Sequence, residues 1–219
     1  MANSPKQAGV TLIEIAVVLG IMGAMLVIAV ANLSQTSANQ RLKSATRSIA
    51  GAFTKARGEA IRTGNMHIVF FQTDALGNPL FDVAGNAVPV LILDDGRPGS
   101  ANQNCRIDAG EIIGVIPAEN GVNWGVSFAT AAVPNDFGGG AIADGSSFRD
   151  PNSLDATWVL FLPAGRSVAF NAACALGAIG SGAGGVYLTN GRRDLAVVQL
   201  PLGGVRVHSW DLTAGQWTN

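Results

Sequence analysis

Few residues in this chain have the type and spacing to do chemistry, and each set points to a different kind. Asp94, Asp95, Asp108 and Glu111 gather four carboxylates, the hard oxygen donors that Ca²⁺ prefers. GRPGSANQNC interrupts any compact loop spacing among them, so a solvated acidic turn competes with a calcium site. The run GSGAGG at 180–185 satisfies G-x-G-x-x-G, but a strand-like segment follows where a dinucleotide site needs a helix. His67 and His208 stand alone in strand-like segments, where a structural histidine is the ordinary case. Cys105 and Cys174 have neither a CxxC pattern nor a neighbouring His, which argues against zinc. No Ser-His-Asp or Cys-His spacing can be drawn. These sets predict no enzyme and no small-molecule substrate, and calcium is the one cofactor left open.

The most unusual ionisable residue is Glu14, which sits in the apolar run of MANSPKQAGVTLIEIAVVLGIMGAMLVIAVANL. A charge at the centre of a membrane-spanning helix costs roughly 2.5 to 3.5 kcal/mol. From 15 to 33 there is no charge, and those 19 residues would make about 28 Å of helix, enough to cross a bilayer. A secretory signal peptide is the alternative, with Lys6 as its basic head and Ala29-Val30-Ala31 as its cleavage site. Against it, the helical pattern does not stop at 33.

In RLKSATRSIAGAFTKARGEAIRTGN, the residues Leu42, Ala45, Ile49, Ala52, Phe53, Ala56 and Ala60 share one arc of a helical wheel. Arg41, Lys43, Arg47, Lys55, Arg57 and Arg62 take the other side, which describes an amphipathic helix laid against a body. Gly64-Asn65 supplies a stop. With no Pro between Val10 and Gly64, the spacing predicts one helix of about 54 residues. Beyond it, HIVFFQ, AVPVLIL, EIIGVI, WGVSF, TWVLFL, SVAF, GVYLT, LAVVQL and GVRVHSW read as short strands parted by Gly, Asn, Asp and Pro. The predicted fold class is α+β: a long N-terminal α-helix, transmembrane and then amphipathic, packed on a C-terminal antiparallel β-sandwich-like domain at 65–219. Stretches 134–151 and 172–185 read as surface loops. The net charge of −1 hides an asymmetry, because residues 41–62 hold six basic groups and one acidic while 65–219 hold seven Arg and thirteen acidic groups.

Gly9-Val10-Thr11-Leu12-Ile13-Glu14, behind a short polar leader and ahead of an unbroken apolar helix, resembles the prepilin signal of type IV pilins and type II secretion pseudopilins. AGAFTKARGEAIRTGNMHIVF, LILDDGRPGSANQNCRIDAGEIIGVIP, WVLFLPAGRSVAF and GRRDLAVVQLPLGGVRV are similar to segments of the GspH/FimT group of minor pseudopilins and minor pilins, so the likeness covers nearly the whole chain. The resemblance implies a leader at 1–9, cleaved between Gly9 and Val10 by a prepilin peptidase, with N-methylation of Val10. It implies a helix at 10–64, transmembrane and assembly-forming over 10–33 and amphipathic over 34–64. It also implies a single pass through a bacterial inner membrane, with the 65–219 domain in the periplasm until the subunit enters a fibre. Glu14 then pairs with the amine of a neighbouring pilin or pseudopilin, so that one buried charge sets the stagger between helices. The implied function is a minor pseudopilin of a type II secretion system, a structural subunit in the tip complex of the pseudopilus. A minor type IV pilin acting in pilus assembly or DNA uptake is the alternative, since both use the same stalk.

An oxidising periplasm would join Cys105 to Cys174 in a disulfide, with two buried free thiols as the alternative. Some FimT-type pilins bind DNA through a basic G-R-x-R stretch. The matching region here, Gly203-Gly204-Val205-Arg206-Val207-His208, lacks the first arginine. Arg206, with Arg192 and Arg193 as helpers on an acidic body, predicts duplex DNA affinity no better than about 10⁻⁴ M at physiological salt.

Overall fold

The computed structural model describes residues 12–97, 103–108 and 110–218, without the side chains of 27–34. Helix α1 (Leu12–Thr63) is followed by β1 (Met66–Phe71), β2 (Val90–Asp95), β3 (Ile112–Ile116), β4 (Asn123–Trp124), β5 (Trp158–Phe161), β6 (Ser167–Val168), β7 (Gly184–Thr189), β8 (Asp194–Gln199), β9 (Val205–Asp211) and β10 (Gln216–Thr218). A short 3-10 turn lies at Ile142–Asp144. By compactness the chain divides into two units, Met1–Ala38 and Asn39–Asn219.

In the first unit, the expectation of a transmembrane helix is overturned. Among the described residues no helix is long and apolar enough to cross a membrane. The single-pass inner-membrane localisation is corrected with it.

In the second unit, the amphipathic pattern predicts the buried face correctly: Leu42, Ala45, Ile49, Ala52, Phe53, Ala56 and Ala60 are all buried. Alanine at four of these seven positions lets strands approach the helix closely, and Phe53 fills the centre with its ring 5.4 Å from Phe71, 6.0 Å from Phe148 and 6.4 Å from Phe161. The helix ends where Gly64 takes φ 76° and its N–H bonds Ala60 O at 3.1 Å.

The expected sandwich is also corrected. Two antiparallel five-stranded sheets form, ordered β3-β2-β1-β5-β6 and β10-β9-β8-β7-β4. A sandwich has one core between its sheets, whereas three clusters form among the described residues. Strand alternation sends Val69, Phe71, Val90, Ile92, Val159 and Phe161 of one sheet, and Val186, Leu188, Leu195 and Val197 of the other, into a shared cluster with the helix face. The opposite faces make two further clusters, one around Ile68, Phe70, Leu91, Leu93, Leu160 and Phe170, the other around Tyr187, Ala196, Val198 and Val133. The central strands are therefore buried on both faces, which explains their unbroken hydrophobic runs.

Loops cover the outer faces. The stretch 134–151, expected at the surface, is drawn in: Ser146, Ser147 and Phe148 are buried and Phe148 joins the central cluster. One turn design recurs at 74–78, 82–86, 150–154 and 171–175. In each, the Asp or Asn side chain accepts the N–H groups two and four residues on, and its own N–H bonds the fifth carbonyl. The fourth residue takes positive φ, as Gly77, Gly85, Ser153 and Cys174. Strand β10 escapes sequence reading because three residues carry too little pattern, and WGVSF is paired only at its first residue, Trp124.

Candidate functional site

Gly9 and Val10 lie outside the described residues. Glu14 occupies the first turn of α1 and is exposed, as is every described side chain from 12 to 26.

Cys105 and Cys174 form a disulfide with Cα atoms 5.4 Å apart. It closes the outer cluster of the first sheet, tying the 103–108 segment to the 171–175 turn. The acidic residues beside it accept hydrogen bonds from nearby backbone N–H groups and side-chain amides. Asp95 is fully buried, and its two oxygens accept the N–H groups of Asn104 at 3.1 Å and Cys105 at 3.0 Å. Burial holds its pKa above the usual carboxylate range. Asp94 accepts the Asn65 side-chain amide at 2.8 Å, Asp108 accepts that of Asn104 at 2.7 Å, and Glu111 accepts the Asp108 N–H at 3.4 Å. The four carboxylates do not converge on one point. Among the described residues the one group with metal-ligand spacing is Asp95 with Cys105 and Cys174, and sulfurs joined in a disulfide offer no thiolate. The acidic turn is thus a fold device that fixes the segment carrying Cys105.

The histidines sit on different sheets, His67 on β1 and His208 on β9. Burial lowers the pKa of both, and Arg206 lowers that of His208 further. His67 Nε2 lies 3.8 Å from Asp94 Oδ1, too long for a hydrogen bond. Asp136 forms a third polar centre. It accepts the Tyr187 hydroxyl, the Ser147 hydroxyl at 2.5 Å and the Gly138 N–H at 2.9 Å, which pins the glycine-rich stretch onto β7. Burial beside this carboxylate pushes the Tyr187 pKa upward.

The arginines singled out for DNA are not brought together. Arg192 and Arg193 sit exposed in the β7–β8 turn. Alternation along β9 puts Val207 and Ser209 on the helix side and Arg206 on the other. Arg193 lines a cleft of about 320 Å³ with Asn39, Leu42, Lys43, Thr46, Arg47, Leu195, Val207 and Ser209. Arg206 lines a separate cleft with Phe137 and Leu202.

This distribution accounts for the basic side of the helix. Arg41 donates to Asn120 O at 3.3 Å and Lys55 to Ile113 O at 2.8 Å. Arg57 donates from Nε to Gly165 O and from Nη1 to Gly203 O, both at 2.9 Å. Arg62 pairs with Glu59. Lys43 and Arg47 remain, and they are the two that face Arg193. Their i, i+4 spacing is legible in the sequence, but nothing in it announces an arginine from a turn about 150 residues later. No protein-family model, no curated protein and no solved structure matches the chain.

Proposed function

We propose that the chain is a subunit of a pilin-like fibre, a minor pseudopilin of a type II secretion system. One observation carries the reading. Over 12–26 every side chain except that of Glu14 is apolar or glycine, and all are exposed, from Leu12 at 87% to Leu26 at 64%. Apolar surface left in water costs about 25 cal/mol per Å², and bundling like segments of neighbouring subunits removes it. Glu14 would be the exception inside such a bundle. Cleavage after Gly9 would create an ammonium at Val10, four residues before Glu14 in the sequence, and a neighbour's ammonium satisfies Glu14 only at one stagger. Glu14 therefore selects register, as a polar residue does in a coiled coil.

The split of Arg193 and Arg206 between two clefts supports the secretion subunit over a DNA-uptake pilin, because phosphate contacts gain from lying along one stripe. N-terminal mass spectrometry of the mature protein should find Val10 first. Glu14→Ala should leave that cleavage intact and reduce recovery of the subunit in sheared fibres. Gene deletion should stop exoprotein secretion and spare twitching and DNA uptake. A mature chain beginning at Asn32 would remove the apolar segment and end the fibre reading.

A further inference from the structure

The cleft between the helix and β8–β9 is built in a way that the fibre reading does not use. Its floor is Leu42, Leu195 and Val207, and its rim is Lys43, Arg47 and Arg193. Among the described residues no acidic side chain lines it. Among the described residues, no hydrogen bond or ion pair engages the side chains of these three cations, whereas the other four basic side chains of the helix are all occupied. Three like charges around one concavity repel one another, so the arrangement is favourable when an anion sits among them.

The cations are also held in place by the fold. Lys43 and Arg47 are one helical turn apart on α1. The turn carrying Arg193 is locked, because Asn190 Oδ1 accepts the N–H groups of Arg192 at 3.0 Å and Arg193 at 2.9 Å, and Thr189 Oγ1 donates to Arg193 O at 3.2 Å. Asn190 Nδ2 then donates to Asn39 Oδ1 at 2.9 Å, which fastens that turn to the helix. The rim is thereby set before any ligand arrives, which reduces the ordering cost of binding.

We propose that this cleft binds a small amphipathic anion: one phosphate or carboxylate group on a short apolar stem. The guanidinium groups of Arg47 and Arg193 match the paired oxygens of such a head group, and Lys43 adds a point charge. The apolar floor takes the stem. A cleft of about 320 Å³ falls at the lower end of small-ligand sites. The floor is what separates this site from a nucleic-acid surface, since duplex phosphates bring no apolar stem to cover the exposed Val207 that lies over the buried Leu42 and Leu195. The inference holds whether or not the chain enters a fibre.

The test is calorimetric titration of the full chain, kept in neutral detergent at physiological salt, with hexyl phosphate, inorganic phosphate and hexanol. Hexyl phosphate should bind one to one, at least about tenfold tighter than either fragment alone, because head and stem contribute together. Arg193→Gln should weaken it about tenfold, the loss of one charge-assisted contact. This variant keeps its fold, since the Arg193 side chain is exposed and has no partner to lose; an unchanged unfolding midpoint verifies that. Equal binding of hexyl and inorganic phosphate would reduce the site to a surface charge cluster. Equal binding of hexanol, or no response to Arg193→Gln, would overturn the proposal. Tighter binding of an acidic tetrapeptide such as Asp-Leu-Asp-Phe than of hexyl phosphate would replace it with a protein-docking site.

Discussion

Breaking the Cys105–Cys174 bond should lower the stability of the fold by about 4 kcal/mol, and the residue placed at 174 should change that figure measurably. The bond spans a sequence separation of 69, and fixing a loop of that length in the unfolded chain is worth roughly 4 kcal/mol at 25 °C in the chain-entropy account. A second effect has the opposite sign. Cys105 and Cys174 hold φ of 57° and 59°, a left-handed conformation costing a residue with a Cβ roughly 1 kcal/mol. At the equivalent place in two sister turns the chain uses Gly77 and Gly85, which adopt that conformation without the penalty. The pair Cys105→Ala/Cys174→Ala should therefore lose about 4 kcal/mol, and Cys105→Ala/Cys174→Gly should lose only about 3. Urea unfolding of the full chain in neutral detergent, followed by tryptophan fluorescence, reads both values. Alkylation without reductant should leave the parent mass unchanged. A double-alanine variant within about 1 kcal/mol of the parent would refute the loop-entropy argument. Equal stability of the alanine and glycine variants at 174 would refute the strain argument alone.

Arg57→Ala should destabilise by about 2 to 4 kcal/mol in the same assay, because one guanidinium serves a carbonyl in the β5–β6 turn and another in the β8–β9 turn. Arg57→Lys, which cannot reach both from one point, should recover at most half; a loss under about 0.5 kcal/mol for alanine would show that the two sheets do not depend on this link. For pH, burial lowers the His67 pKa in the folded state, opposed in part by Asp94, while the unfolded imidazole titrates near about 6.5. The unfolded state then binds the extra proton, so this contribution is complete above about pH 6.5 and is lost as pH falls through the folded value. His67→Gln should flatten the fall in unfolding midpoint between about pH 7.5 and 5.5 without removing it, since His208 is shifted the same way; an unchanged slope would count against a neutral buried His67.

The sequence was most informative where a repeat or a buried stripe had to be consistent with its neighbours. The helix face from Leu42 to Ala60 was legible because seven apolar positions agree on one arc. The double-sided burial of β1, β2 and β8 was visible as runs without alternation, yet what covers their outer faces was not. Those covers are made by irregular stretches such as 134–151, whose polar residues close on one another through Asp136 and Tyr187 rather than on water, so composition alone read them as surface loops. The basic helix side is hard to read for a related reason. A row of six cations looks like a solvated or docking surface on a wheel, and a wheel has no means of showing carbonyl groups from distant turns. Arg57 finds two such carbonyls, and Lys55 and Arg41 one each, which turns half of the apparent charge surface into fold-holding contacts. Lys43 and Arg47 become conspicuous only after that subtraction. Their significance depends on Arg193, whose place beside them is fixed by one amide pair, Asn190 to Asn39. A local pattern can give the type and spacing of a charge. Whether that charge is already satisfied depends on contacts 79 to 151 residues away, and for the residues that bind rather than brace, that is the deciding question.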